Sequence, residues 1–229
     1  MTNTLWRVGG GLVFSAALSS CASVSEVNGT ERPTSRMPEL VCVLPFTTAH
    51  GEFNVDRTGK ELADFKENLQ ATLQTAMIDD LCDRLVPAVP ARRSDWSKTK
   101  NAWLVRGKFT IVNQGSRLLR TAVGFGAGRT RIETQVDVYD LAGNSATPFL
   151  IFATTGGSGA QPGELIPVSD NPYLIGYGLA SHAIHGLTED SRRTAREITA
   201  VLSDYMYRHG WIAEEEWIKP KKAGGEDMW

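Results

Sequence analysis

The segment that most constrains this chain is a short apolar run, Val8 to Leu18, which follows Arg7 and ends in Leu18-Ser19-Ser20-Cys21. The run is about half of the ~20 apolar residues that a transmembrane helix needs. A basic start, an apolar stretch and small residues leading into a cysteine have the order of a cleaved secretion signal. Leu18-Ser19-Ser20-Cys21 has the form of a lipobox, so the expectation is a thioether lipid on Cys21, cleavage before it and acylation of the new amino terminus. An ordinary secretory signal is the alternative. Each buried methylene contributes ~0.8 kcal/mol, so one acyl chain holds a protein loosely and two or three hold it firmly. The chain beyond Cys21 is therefore expected to be a folded domain tied to a membrane.

The chain has 229 residues, 41% of them hydrophobic and 22% charged, which is the composition of a globular protein. Removing residues 1–20 leaves a length suited to one domain with tails. The formal net charge of −2 gives no sign of nucleic-acid binding, which requires a basic patch or stripe. Beyond Cys21 only Cys42 and Cys82 remain, an even number in an oxidising compartment. A disulfide between them is a candidate; the alternative is two buried free thiols.

The division expected is a signal at 1–20, a flexible tether at 21–38, one α+β domain at 39–210 and a charged tail at 211–229. The tether is rich in Ser, Thr and Glu and holds Pro33 and Pro38, a composition that buries little. Glu39–Phe46 reads as a buried strand. Thr58 and Glu61 fit a capping box, and Leu62, Phe65, Leu69, Leu73, Met77 and Leu81 follow at helical spacing until Pro87. Val86–Thr99 is a connector with room for a short edge strand.

From Ala102 the period becomes two. Trp103, Val105, Gly107, Phe109 and Ile111 point one way, and Arg106, Lys108 and Thr110 the other. Ile132, Val136 and Val138 alternate with charged residues, and Pro148–Thr155 supplies another strand. A second helix is expected from Glu189 to His209. Thr188 serves as its cap, Glu189 and Asp190 sit in its first turn, and Gly210 follows its end. The fold class is thus α+β, a mostly antiparallel or mixed sheet of about four strands with two long helices on one face.

Three blocks carry a family resemblance. They are Leu104–Thr110 with Gln114–Arg120, then Gly124–Gly128 ahead of Thr134–Asp140, and Thr154–Gly159 running to Gly163. Together they resemble the bacterial lipoproteins of domain of unknown function 4410, over roughly Glu39 to Gly210. That family brings no established activity. Its element order is similar to small α/β domains of curli-secretion and penicillin-binding-protein-activator lipoproteins, which implies an envelope partner. By resemblance to sorted lipoproteins, Ala22 in place of an aspartate after the cysteine implies the periplasmic face of the outer membrane.

The candidate chemistry is sparse. Gly124-Phe-Gly-Ala-Gly-Arg129 lacks the third glycine and the following helix of a dinucleotide loop, so its glycines are read as serving turn geometry. Arg117, Arg120, Arg129 and Arg131 flank that connection and could clamp a carboxylate or phosphate of a partner; the alternative is a solvated face paired with Glu133 and Asp137. His182 and His185 have no further ligands to make a metal site, and Ser158 lacks the spacing of a nucleophile elbow. Pro172–Leu187 is apolar with interspersed glycine and alanine, fit either to dock a partner or to cover the sheet. No catalytic residue, metal or cofactor is expected. The function expected is a lipid-anchored, non-enzymatic binding or assembly module with an envelope partner or a second copy of itself. A hydrolase or transferase acting on cell wall or lipid is the alternative.

Overall fold

In a computed structural model, the residues described are 23–29, 36–91, 101–115, 130–143, 146–157 and 172–221. Among these residues seven strands form one mixed sheet: β1 (Ser23–Gly29), β2 (Leu40–Val43), β3 (Glu52–Asn54), β4 (Ala88–Pro90), β5 (Ala102–Asn113), β6 (Arg131–Asp140) and β7 (Leu150–Gly157). The helices are α1 (Gly59–Arg84) and α2 (Pro172–Arg208). Strand order is β1-β7-β6-β5-β2-β4, with β3 also on β5. The β5–β6, β6–β7 and β1–β7 pairs are antiparallel, while β2–β4, β2–β5 and β3–β5 are parallel. The fold is α+β as expected, with more strands than the four foreseen. The additions are β1, β3 and β4. At three residues, β3 and β4 are too short to show a period, although the connector had room for an edge strand.

The parallel β2–β4 pair requires a crossover, and α1 supplies it. Leu69, Leu73, Met77 and Leu81 bury against the sheet, as their spacing predicts. The expected capping box is absent. Thr58 is extended and makes no side-chain cap bond, and Gly59 inside it takes a φ of +53° that breaks the regularity of the first turn. Farther along, two α1 glutamines bond strand carbonyls: Gln70 donates to Phe46 at 2.5 Å and Gln74 to Val43 at 2.8 Å. They satisfy backbone groups where the chain leaves the β2 ladder.

On the helix side of the sheet, Val41, Val43, Phe46, Trp103, Val105, Phe109, Ile132, Val136, Val138 and Phe152 join the helical leucines in the main core. Burying each large side chain contributes ~1.5–3 kcal/mol. Gly107 is glycine because a Cβ there would lie 2.3 Å from the Phe46 ring. A bulge between Phe109 and Ile111 shifts the alternation, so Val112 rather than Ile111 turns inward, opposite Ile132. The strict period-two reading of β5 placed Ile111 on the inner face, and this one extra residue reverses it.

The expected disulfide is not formed. Cys42 points to the opposite face of the sheet, in a small cluster with Ala91, Ala102 and Leu104, whereas Cys82 lies on α1. The Cys82 sulfur meets the Ala88 amide at 3.2 Å. Neighbouring positions of β2 face opposite ways, and its helix-facing positions are Val41 and Val43.

Residues 23–29 and 211–221 are more ordered than their composition suggested. Residues 23–29 of the expected tether are a strand, with Val24 in the main core. Gly210, with a φ of +70°, ends α2 as foreseen. Residues 211–221, expected as tail, then run back along the helix: Trp217 stacks on Tyr207 at 4.7 Å and its indole donates to Asp204 at 3.2 Å. The Ile218 amide donates to Ser203 Oγ and the Lys221 amide to Glu197, at 2.9 and 2.8 Å. Val24 in turn donates to the Lys221 carbonyl at 2.8 Å, joining this strap to β1.

Burial pushes the Glu197 carboxyl above its ordinary value of 4.5, against the lowering effect of the Lys221 amide and of the charges on Lys221, Arg196 and Arg84. A raised folded pKa means that the native state holds this proton more tightly than the unfolded chain. Its favourable contribution is full below 4.5 and is lost as pH rises through the raised value. Glu197→Gln keeps an acceptor for Lys221 and carries no charge, so its stability relative to wild type should climb from pH 4.5 upward in urea titrations. A pH-independent difference would contradict this account. For the thiols, alkylation without reductant should modify Cys82 in the native protein and Cys42 only after denaturation; recovery of a linked Cys42–Cys82 peptide would overturn the assignment.

Candidate functional site

The bulge in β5 brings Gln114, nearly fully buried, to the end of the sheet where β5 stops and β6 begins. Arg57, in the loop between β3 and α1, donates to Gln114 Oε1 at 2.7 Å and lays its guanidinium 4.5 Å from the Phe65 ring centroid. That stacking holds the arginine half-buried at the mouth of a groove between the first half of α1 and residues 187–191 of α2. The groove has a volume of about 510 Å3. Glu61 and Asp64 stand on its α1 side, Thr188 and Ser191 on its α2 side, and Leu69 and Leu187 supply apolar surface.

Behind the groove lies a buried polar layer. Asp190 is 0% exposed; the Thr130 hydroxyl donates to its Oδ2 at 2.5 Å, and Arg193 Nη1 lies 3.7 Å from its Oδ1. Beside it, the Thr134 and Thr154 hydroxyls meet across β6 and β7 at 2.8 Å. Gly156 lets the helix approach, since a Cβ there would fall 2.6 Å from Thr194 Oγ1. The Ser191 hydroxyl donates to the Leu187 carbonyl at 2.8 Å, which commits its proton to the helix backbone. On the outer surface Glu189 faces Arg193, Arg196 and Arg192 at 3.3, 3.4 and 3.9 Å.

Arg57, Gln114 and Asp190 were not singled out from sequence. Asp190 was read as a first-turn acid, because the helix was expected to start at Glu189; α2 in fact begins at Pro172. The signal was present. Continuing the stripe of Ile198 backwards by threes and fours reaches Thr194, Asp190 and Leu187, all buried. Of the four candidate arginines, Arg131 is exposed at the start of β6 and ion-paired with Glu133, while Arg117, Arg120 and Arg129 lie outside the described residues. Cys21, Ser158 and the connection Thr121–Gly128 also lie outside them. His182 and His185 fall within α2. Among the described residues no cluster of three or more His, Cys, Asp or Glu side chains could hold a metal.

A guanidinium, two carboxylates and hydroxyls around apolar surface can recognise a polar chain segment. The strands and helix that build it coincide with a known family pattern: the model of Domain of unknown function (DUF4410) matches residues 41–175. The chain belongs to this family. The DUF4410 match runs from β2 to the first turn of α2 and so includes Arg57, Gln114 and Thr130. No curated protein sequence matches the chain. Among solved structures it is similar to the PelC dodecamer from Paraburkholderia phytofirmans, at 9% identity and a TM-score of 0.37, over 75% of this chain and 96% of that one. It is also similar to a candidate lipoprotein from Caulobacter crescentus, at 17% identity and a TM-score of 0.33, over 69% of this chain and 91% of that one. The hypothetical protein CT253 from Chlamydia trachomatis aligns at 11% identity and a TM-score of 0.41, over 72% of this chain and 96% of that one.

Removing the buried carboxylate tests the polar layer. Asp190→Ala should cost about 1–3 kcal/mol in chemical denaturation, the usual penalty for breaking a buried hydrogen-bonded group. Asp190→Asn, which keeps an acceptor for Thr130 and loses the charge toward Arg193, should cost less. Equal stability of all three proteins would remove Asp190 from the account.

Proposed function

We infer that this DUF4410 protein is a lipid-anchored, non-enzymatic binding module of the bacterial envelope, attached through Cys21 and facing the periplasm from the outer membrane. One observation carries the reading: a lipobox-like Leu18-Ser19-Ser20-Cys21 precedes a domain in whose described residues no helix is long and apolar enough to cross a membrane. The lipid is then the membrane attachment, and the groove between α1 and α2 is the contact surface. Arg57 is its specificity element, because stacking on Phe65 and bonding to Gln114 fix the plane in which its remaining N–H groups point. A polar segment of an envelope protein, or of a second copy, that offers an acceptor to Arg57 and donors to Glu61 and Asp64 fits that lining. Arg117, Arg120 and Arg129 belong to the same proposal as further contacts for an acidic partner.

The experiment tracks the protein in its native envelope. Wild type should take up radiolabelled palmitate and sediment with membranes, and Cys21→Ala should do neither. Crosslinking should recover a complex from wild type that Arg57→Ala loses while its circular-dichroism spectrum shows the fold retained. Absence of palmitate removes the anchor, and recovery of monomer alone removes the binding role.

A further inference from the structure

We propose that the outer surface of the helical layer is a two-fold contact with a second copy of this chain, α1 of each copy lying over the Glu189–Arg196 stretch of α2 in the other. The proposal rests on the groove being the contact surface, as under Proposed function, and names its occupant. The two helices cross the sheet in the same direction. α2 passes from Thr130, just ahead of β6, to Trp103 near the start of β5. α1 leaves the end of β3, which pairs at Asn113, and returns to β4, which pairs with β2 at the level of Trp103. A two-fold axis along the seam between them sets α1 of one copy above α2 of the other, twice, and the groove lies on that axis.

The charges of the two helices are complementary. α1 holds six acidic and three basic side chains, a net charge of −3. On α2 the balance is reversed. Arg192, Arg193 and Arg196 converge on Glu189, while the neighbouring Asp190 carboxylate is turned inward to Thr130. Arg192 is 66% exposed and Arg196 51%, and one shared carboxylate cannot occupy all the N–H groups they present. The groove sets Glu61–Thr72 beside Leu187–Ser191, and Arg84 near the end of α1 acts on the charge of Glu197. Arg192 and Arg196 thus stand level with the middle of α1, between the exposed Asp64 and Asp79. Across the axis they come within reach of those carboxylates in the other copy. Asp64 is shared with Lys60 at 2.8 Å, but that pair is exposed and contributes little. Ala71 and Thr75 between the two acids are short, which lets a facing helix approach.

The test measures mass by sedimentation on the full-length chain, in excess detergent micelles at low ionic strength. Wild type should be a dimer that dissociates as salt is added. Arg192→Glu with Arg196→Glu makes both surfaces acidic, and Asp64→Lys with Asp79→Lys makes both basic. Each double variant, folded by circular dichroism, should dimerise at least about tenfold more weakly, because every reversal acts twice across the axis. Mixed in equal amounts, the two should pair with each other as wild type does with itself. If the arginine reversal unfolds the chain, Arg192→Gln with Arg196→Gln replaces it and should weaken the dimer likewise. Variants that dimerise like wild type, or two folded reversals that stay monomeric when mixed, overturn the two-fold contact. A wild type that is monomeric here yet gives the Arg57-dependent complex in its native envelope overturns the second copy and leaves the binding role standing. No complex in either setting overturns both.

Discussion

The pairing of β5 organises the rest of the molecule, because both of its edges are occupied by chains running in different directions. Along one edge it pairs with β6 in register from Trp103–Asp140 to Asn113–Arg131. Along the other, β2 and β3 follow each other in parallel, with Thr47 bridging to Lys108 between them. A parallel partner cannot be reached by a tight turn, so α1 is required and its apolar face is committed to the sheet. Phe46 fills the break between β2 and β3, which Gly107 leaves room for. Beyond the bulge after Phe109, Gln114 accepts from Arg57 at the mouth of the groove.

Helix α2 seals the other half of the sheet, by different means at its two ends. Around Tyr205 the contact is aromatic: Trp103 lies 5.7 Å away and Phe149 5.1 Å, with Trp211 closing over Trp103 at 5.9 Å. Around Asp190 it is polar, with hydroxyls of Thr130, Thr134 and Thr154 on the strands. Polar groups at this depth are favourable only when bonded, and they fix relative position more strictly than an apolar contact does. The polar end is the one beside the groove. The geometry of Leu187, Thr188 and Ser191 therefore depends on a carboxylate that solvent does not reach.

Much of this was legible where a period ran long enough. α1, the inner face of β5 as far as Phe109, that of β6, and the Ala195–Tyr205 stripe of α2 follow from spacing alone. Three things were not legible, each for a physical reason. β1 lies in a polar, proline-flanked stretch and owes its order to β7 and the strap, neither of which is local in sequence. The strap itself, Ala213–Lys221, is highly charged, and the side chains of Glu197, Ser203, Asp204 and Tyr207, distant in pattern from it, give it a place to lie. The disulfide was suggested by counting cysteines, whereas the side of a strand on which Cys42 emerges depends on register.

The two edges of the sheet bear on how such a domain engages a partner. An exposed edge strand is a template for pairing with another chain, and proteins blunt it. Here β4 is three residues long, is preceded by Pro87 and ends at Pro90, which has no N–H to offer. At the other edge β1 is irregular, with a register shift between Val24 and Glu26, and its first residues are bonded to the strap. Neither edge presents a long, flat ladder. Association by strand addition is disfavoured at both, and the open groove lies in the helical layer, where a stacked arginine, two carboxylates and a pair of hydroxyls surround it. The same layer leads along α2 to the strap and from Lys221 to β1, so the contact surface and the strand nearest Cys21 belong to one continuously bonded body. The groove therefore keeps a fixed position relative to β1.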